Sequence, residues 1–252
     1  ARKLYLTNVL TFKPAALSSG QKQRASIARA LVRNPDVTIM DEPLSHLDAR
    51  MRSNMRSVIK HLHDQLKLTT IYVTHDQIEA MTMADKILIM DQGRVQQIGS
   101  PDEVYYHPAN QFVAGFVGTP QMNLLECAVQ REASGLRVVC PEAFSVDAAR
   151  YTHLVSDGMA VTFGIRPHDV EISSVPRSGF YKASVYVVEP LGETTIISIR
   201  AGNTVLSSEC DGHLTEWRPN DEIYFRCPPE RVHLFDKETG VRLFPNDEEA
   251  AL

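Results

Sequence analysis

Three segments between Leu17 and Asp76 decide the fold: Leu17-Ser18-Ser19-Gly20-Gln21, Val37-Thr38-Ile39-Met40-Asp41-Glu42-Pro43, and Ile71-Tyr72-Val73-Thr74-His75-Asp76. In the first, Ser18 or Ser19 can cap a helix whose apolar residues Ile27, Ala28, Ala30 and Leu31 recur at helical spacing until Asn34-Pro35 stops it. A serine–glycine turn at a helix N-terminus presents free backbone N–H groups and the positive end of the helix dipole, a ready place for a phosphate. An ordinary capped surface helix is the other reading. The second segment reads as a short buried strand ending in two adjacent carboxylates. These are costly at the mouth of a buried strand unless they meet a cation or a proton-transfer task. Asp41 can hold Mg²⁺ through water, and Glu42 can orient or deprotonate an attacking water. The third segment is a further buried-strand run ending in His75. A lone histidine there is commonly structural, but two parallel strands separated by one helix bring their C-terminal ends side by side.

Between the second and third segments, Pro43 breaks the chain and Leu44–Asp48 turns into a helix. Met51, Met55, Val58, Ile59, Leu62 and Leu66 form one apolar stripe on it, and Asp48 is placed to cap it. Beyond His75, Ile78, Met81 and Met83 fit a short helix, and residues 87–90 a buried strand. Asp91-Gln92-Gly93 reads as a hairpin turn into residues 94–98. Ser100-Pro101-Asp102-Glu103 carries a capping-box pattern with proline in the first turn. Strand and helix in alternation predict a parallel sheet. Residues 1–10, with Leu4, Leu6 and Leu10, carry a loose helical pattern. Lys22, Arg24, Arg29 and Arg33 read mainly as a solvated helix face.

The texture changes at Gly118-Thr119-Pro120. Short strands punctuated by Gly and Pro follow at 136–139, 160–165, 184–188, 195–199, 222–227 and 232–235, which predicts a small β-barrel. At 252 residues the chain accommodates two domains, divided as 1–118 and 119–252. It is 43% apolar and 23% charged with a net charge of −5, which argues against a dedicated nucleic-acid surface. No basic face interleaved with aromatics is visible, and there is a single Trp. No apolar run approaches the roughly 20 residues of a membrane helix. Cys127, Cys140, Cys210 and Cys227 have no metal-ligand spacing and read as reduced thiols.

The order and spacing of these segments resemble the second half of an ABC-type ATPase core. Leu17–Gln21 match the signature motif, residues 37–42 the Walker B strand and carboxylate, Ser45–Asp48 the D-loop, and His75 the switch histidine. Phe163-Gly164-Ile165-Arg166-Pro167, residues 189–194 and His233-Leu234-Phe235-Asp236 are similar to the oligonucleotide-binding-like (TOBE-type) regulatory domain of carbohydrate-importer ATPases of the maltose and glycerol-3-phosphate type. The resemblance implies an α/β fold, a partial P-loop ATPase core followed by an all-β OB-like barrel. It implies ATP and Mg²⁺ as ligands, with Ser18, Ser19, Gly20, Gln21 and Asp48 binding nucleotide, Asp41 holding the metal, and Glu42 and His75 catalytic. In that family two ATPase subunits meet head to tail, so the signature faces the partner's ATP, and the D-loop communicates between the two sites. The implied partners are a second copy, membrane-spanning permease subunits, indirectly an extracytoplasmic solute-binding protein, and regulatory proteins at the barrel, without nucleic acid. The implied location is cytoplasmic and peripheral, on the inner face of the cell membrane.

Two departures stand out. The phosphate-cradling pattern G-x-x-x-x-G-K-[ST] occurs nowhere in the 252 residues. The chain is therefore expected to lack the N-terminal part of the ATPase core and to be inactive alone. The signature also carries Ser19 where the family usually has Gly, which predicts a weakened signature because glycine permits backbone angles that serine resists. A non-hydrolytic regulatory or dimerisation module is the alternative function. A DNA-repair ABC ATPase would need long coiled-coil arms, and the sequence has none.

Overall fold

Helix α1 (Ser19–Val32) starts at a capping box: Ser18 Oγ accepts the Gln21 N–H at 3.2 Å, and Gln21 Oε1 accepts the Ser18 N–H at 2.9 Å. Strand β1 (Val37–Asp41) follows, and Asp48 then opens helix α2 (Ala49–Leu66) by accepting the Met51 N–H at 2.9 Å. Lys67, in the left-handed region at φ 50°, ends α2. Strand β2 (Thr69–Val73) lies parallel to β1, in register from Val37 opposite Thr69 to Asp41 opposite Val73. Asp76 caps helix α3 (Gln77–Met83). This computed structural model describes residues 1–33, 35–67, 69–133, 135–212 and 217–245. The chain divides into two compact units, Ala1–Ile87 and Leu88–Leu252.

The core of the first unit gathers Leu4, Leu6, Ile27, Met40, Leu44, Leu47, Met55 and Ile59. The predicted α2 stripe is buried at Met55 and Ile59 and packs at Met51, Val58 and Leu62, while Leu66, the last helical residue, is 44% exposed. Residues 1–10 form two 3₁₀ turns, Arg2–Leu4 and Thr7–Val9, because Tyr5 takes a left-handed conformation that interrupts any longer helix. Arg24 is buried and does not share the solvated face expected for the basic residues of α1. Strand alternation puts Thr38 and Met40 against the core and Val37, Ile39 and Asp41 on the other face. That second face is open: Ile39 is 71% exposed, and Val37, Ile71 and Val73 are about half exposed.

At the start of the second unit, strands β3 (Ile87–Asp91) and β4 (Arg94–Gly99) form the predicted hairpin. Gln92 and Gly93, both at positive φ (46° and 77°), make the tight turn such a hairpin requires. Helices α4 (Pro101–Tyr106) and α5 (Gln111–Phe116) follow, the first with the predicted Ser100–Glu103 capping box. They associate with the strands after residue 118: Gln111 N–H donates to Gly240 O at 2.8 Å, and Arg242 N–H to Ala109 O at 3.0 Å.

Eleven further strands follow: β5 (Asn123–Glu132), β6 (Gly135–Cys140), β7 (Phe144–Asp147), β8 (Ala160–Ile165), β9 (Glu171–Ser173), β10 (Tyr181–Pro190), β11 (Thr194–Ala201), β12 (Thr204–Asp211), β13 (Glu222–Arg226), β14 (His233–Asp236) and β15 (Arg242–Leu243). They build two antiparallel sheets, ordered β12-β11-β10-β13-β9 and β15-β14-β8-β5-β6-β7. Both sheets share one core around Val161, Phe163, Ile165, Ile197, Ile199, Ile223 and Phe225. Asn123 on β5 ties them together, its amide donating to Ser207 O at 2.8 Å while its carbonyl accepts the Ser207 N–H at 2.7 Å. Arg166 pins the segment before the barrel: its guanidinium lies 3.7 Å from the Tyr105 ring centroid and donates to the carbonyls of Tyr105 and Val117. A Cβ on Gly118 (φ 118°) would come within 2.7 Å of that guanidinium, so the turn needs glycine.

The expectation of four reduced thiols is also overturned. Cys127 and Cys140 are joined in a disulfide, and only Cys210 and Cys227 carry free thiols among the described residues. The pairing follows from register. Ala128 opposes Val139, so Cys127 and Cys140 face each other across β5 and β6 with Cα atoms 4.5 Å apart, the spacing of a non-hydrogen-bonded antiparallel pair.

Candidate functional site at the ends of the parallel strands

The parallel register sets Asp41 beside Val73, so the residues that follow each strand emerge together. The Glu42 N–H donates to Val73 O at 2.8 Å, which carries the pairing one residue past β1. Glu42 itself sits at φ 43°, a conformation that costs a non-glycine residue energy and that recurs at functional sites. Its carbonyl accepts hydrogen bonds from Gln23 Nε2 and Ser45 Oγ, both at 3.0 Å. Its carboxylate Oε1 lies 3.0 Å from His75 Nδ1. Both side chains are well exposed, so the pair is open to a substrate. The strained backbone thus aims one carboxylate at one imidazole across two strand ends.

The turn after Glu42 is held from both sides. Gln23 on α1 reaches it twice, since its amide also accepts the His46 N–H at 3.3 Å. The start of α1 packs directly on this turn: a Cβ on Gly20 would come within 2.9 Å of Leu47 Cδ2, so a larger residue there would make the Leu47 side chain shift. On the other side, Arg52 donates to Leu47 O and to Asp76 Oδ2, both at 3.3 Å.

The turn after His75 rests on a buried carboxylate. Glu79 is 3% exposed and accepts from Tyr72 Oη and Thr74 Oγ1, both at 2.9 Å. Burial first, and the Glu79 carboxylate second, hold the Tyr72 phenol well above its ordinary pKa, which keeps it a proton donor to Glu79. Thr74 Oγ1 in turn accepts the Asp76 N–H at 3.0 Å.

Of the predicted site residues, Glu42 and His75 touch, and Asp48 lies in the turn that Arg52 ties to Asp76. Ser18 and Gln21 are engaged with each other in the capping box, with Ser19 exposed at the first helical position. Ser19 does not have a positive φ, so the steric reason for a weakened signature is absent in this conformation. Asp41 is exposed at the end of the open face of β1. Among the described residues no group of three His, Cys, Asp or Glu side chains converges as a metal cage. A lone carboxylate at a strand end still fits Mg²⁺, which keeps several waters and takes its remaining ligands from phosphate. Gln23, Arg52 and Glu79 were not expected. Only Glu79 had a local signal, the D-x-x-E spacing from Asp76 that suggests a capping box.

Residues 2–45 match the ABC transporter family model, residues 118–170 the MalK OB fold domain, and residues 163–235 the TOBE domain. The trehalose/maltose import ATP-binding protein of Thermococcus litoralis is 43% identical over 256 residues, covering 97% of this chain and 67% of that protein. The chain belongs to the ABC transporter ATP-binding proteins. The sulfoquinovosyl glycerol transport ATP-binding protein of Agrobacterium fabrum is 42% identical over 95% of this chain and 66% of its own length. The sn-glycerol-3-phosphate import ATP-binding protein of Salmonella typhi is 41% identical over 96% and 67%. This ABC ATP-binding chain spans about two thirds of the length of these relatives. No helix among its described residues is long and apolar enough to cross a membrane.

Proposed function

We propose that the chain is the signature-bearing and carboxylate-bearing part of an ATP-hydrolysing, energy-coupling subunit of an importer for a sugar or sugar-related solute. One observation carries this reading: the Glu42–His75 contact at 3.0 Å, where two parallel strands end, in a chain akin to sugar-import ATP-binding proteins. Phosphoryl transfer leaves the protein mainly positioning and charge stabilisation to supply. Glu42 orients the attacking water and receives its proton, and His75 holds that carboxylate in place from the neighbouring strand. Mg²⁺, held by Asp41, would neutralise developing charge on the phosphate oxygens. Ser18, Ser19, Gly20 and Gln21 present the N-terminus of α1 to the nucleotide of a second copy, and Asp48 lies between the two sites.

In this reading residues 1–118 belong to the nucleotide-binding domain and residues 119–252 to the regulatory barrel. The subunit sits peripherally on the cytoplasmic side of the membrane, works with permease subunits and a second copy of itself, and offers the barrel to regulatory proteins. Hydrolysis also requires a phosphate loop, and the 252 residues contain none. By itself the chain is therefore expected not to turn over ATP.

The test joins the chain to a G-x-x-x-x-G-K-[ST] segment from an ABC-type ATPase and reconstitutes it in vesicles with importer permease subunits. ATP-dependent sugar uptake supports the proposal. ATP turnover that never couples to uptake would instead support a role outside import.

A further inference from the structure

The two turns that carry Asp48 and His75 belong to different strand–helix connections, yet one side chain spans them. Arg52, in the first turn of α2, donates through one guanidinium nitrogen to Leu47 O, the residue before Asp48, and through another to Asp76 Oδ2, the residue after His75. Asp76 is itself fixed from two further directions, one of them relayed through Thr74 to Glu79. Its Oδ1 accepts the Glu79 N–H at 3.1 Å, its N–H donates to Thr74 Oγ1 at 3.0 Å, and Thr74 donates to the buried Glu79 carboxylate. The Arg52 and Asp76 side chains are largely shielded, at 32% and 19% exposure, so their attraction is screened less than that of a surface pair. A planar guanidinium can serve two acceptors in fixed directions, which a lysine ammonium on a flexible stem does not reproduce. Arg52, Thr74, Asp76 and Glu79 also line the depression that contains Glu42 and His75.

We propose that Arg52 is a positioning residue that locks the Asp48 turn to the His75 turn, so that a displacement of one is transmitted to the other. This rests on the catalytic reading of the site, but the brace itself is a property of the chain and is measurable without nucleotide. The functional consequence is coupling: what moves Asp48 at a contact with a second copy also moves His75, and through it the Glu42 carboxylate.

The test is backbone amide NMR of the 252-residue chain, with signals of the strands after residue 118 as the internal check that a variant is folded. Asp76→Asn is expected to shift the amides of Asp48 and Met51 as well as those of its own turn. Arg52→Gln leaves the Asp76 cap intact and is expected to shift His75 and Glu79. The double variant should add nothing beyond the larger single effect at the far turn. Arg52→Lys should restore the His75 and Glu79 signals but not that of Asp48, since an ammonium holds one acceptor and releases the other. Shifts confined to the substituted residue's own turn, or strictly additive effects, would overturn the proposal. In a subunit supplied with a phosphate loop, Arg52→Gln should lower kcat about tenfold with KM for ATP little changed. If that subunit hydrolyses no ATP at all while the amide shifts appear as expected, the catalytic reading fails and the brace stands.

Discussion

The two units of this chain handle apolar surface in opposite ways. In the second unit, strands β5–β15 pair into two antiparallel sheets whose inner faces close on one core, with Phe163, Ile197, Ile199, Ile223 and Phe225 fully buried. In residues 1–87 the parallel pair β1–β2 covers one face and leaves Val37, Ile39, Ile71 and Val73 exposed on the other, ending at Asp41. Parallel sheets are ordinarily covered on both faces. The proposed chemistry lies in the unit with the open sheet: Glu42, His75 and the turns around them use strand ends and turn backbones, while the barrel-like unit contributes none of the predicted catalytic side chains. Stability and chemistry are therefore separable by substitution here.

The sharpest break between the units is expected from paired truncations. Phe225→Ala should cost about 3–5 kcal/mol in a denaturant titration of the second unit, because it empties a packed core position. Equal costs for Phe225→Ala and for a change at Ile39 would erase the distinction between a closed and an open sheet. Next in size is the disulfide. Reducing Cys127–Cys140, which closes a loop of 13 positions, should cost the second unit about 3 kcal/mol and leave the amide spectrum of residues 1–87 unchanged.

Acid should also act on the second unit. His233 Nδ1 is buried without a hydrogen-bond partner among the described residues. Burial first, then the positive charge of Arg242, Arg166 and neighbouring groups, holds its pKa well below 6.5. The unfolded state therefore binds the extra proton. The stability is fully present above about pH 6.5 and is lost as pH falls toward the depressed folded value, with a slope approaching about 1.4 kcal/mol per pH unit. A His233→Leu variant that keeps the same acid sensitivity would assign that slope to other groups.

Smaller effects belong to the first unit. Ser18→Ala removes the α1 capping box and should cost about 1 kcal/mol, read from the melting of residues 1–87. Smallest of all, Ile39→Thr should change stability by less than about 0.5 kcal/mol, while reducing the binding of a hydrophobic dye to the open face.

Much of the site was legible because its signals are local. Ser18 and Asp48 cap helices as their positions predict, and Glu42 meets His75 because one helix and two parallel strands fix where strand ends emerge. Gln23 and Arg52 were not legible. Apart from Leu47, which Arg52 reaches within its own turn, their partners lie 19 to 24 residues away in sequence, and only tertiary packing brings them together. The Cys127–Cys140 pair was missed for the same kind of reason, since strand register rather than cysteine spacing opposes the two. Leu66 fits the helical period of the α2 core stripe, but it falls at the last helical position, where the covering surface has run out. The loose pattern of residues 1–10 failed where Tyr5 turns left-handed, a backbone choice that apolar spacing does not record.

Glu42, aimed by His75, is the proposed reacting carboxylate of an ATP site. The most direct measurement follows MgATP turnover for the chain alone, for the chain joined to a phosphate-loop segment, and for the joined chain carrying Glu42→Gln. Expected are no turnover in the first, turnover in the second, and a loss of about 10²–10⁴-fold in the third. Hydrolysis by the chain alone, or a joined chain indifferent to Glu42→Gln, would contradict the proposal.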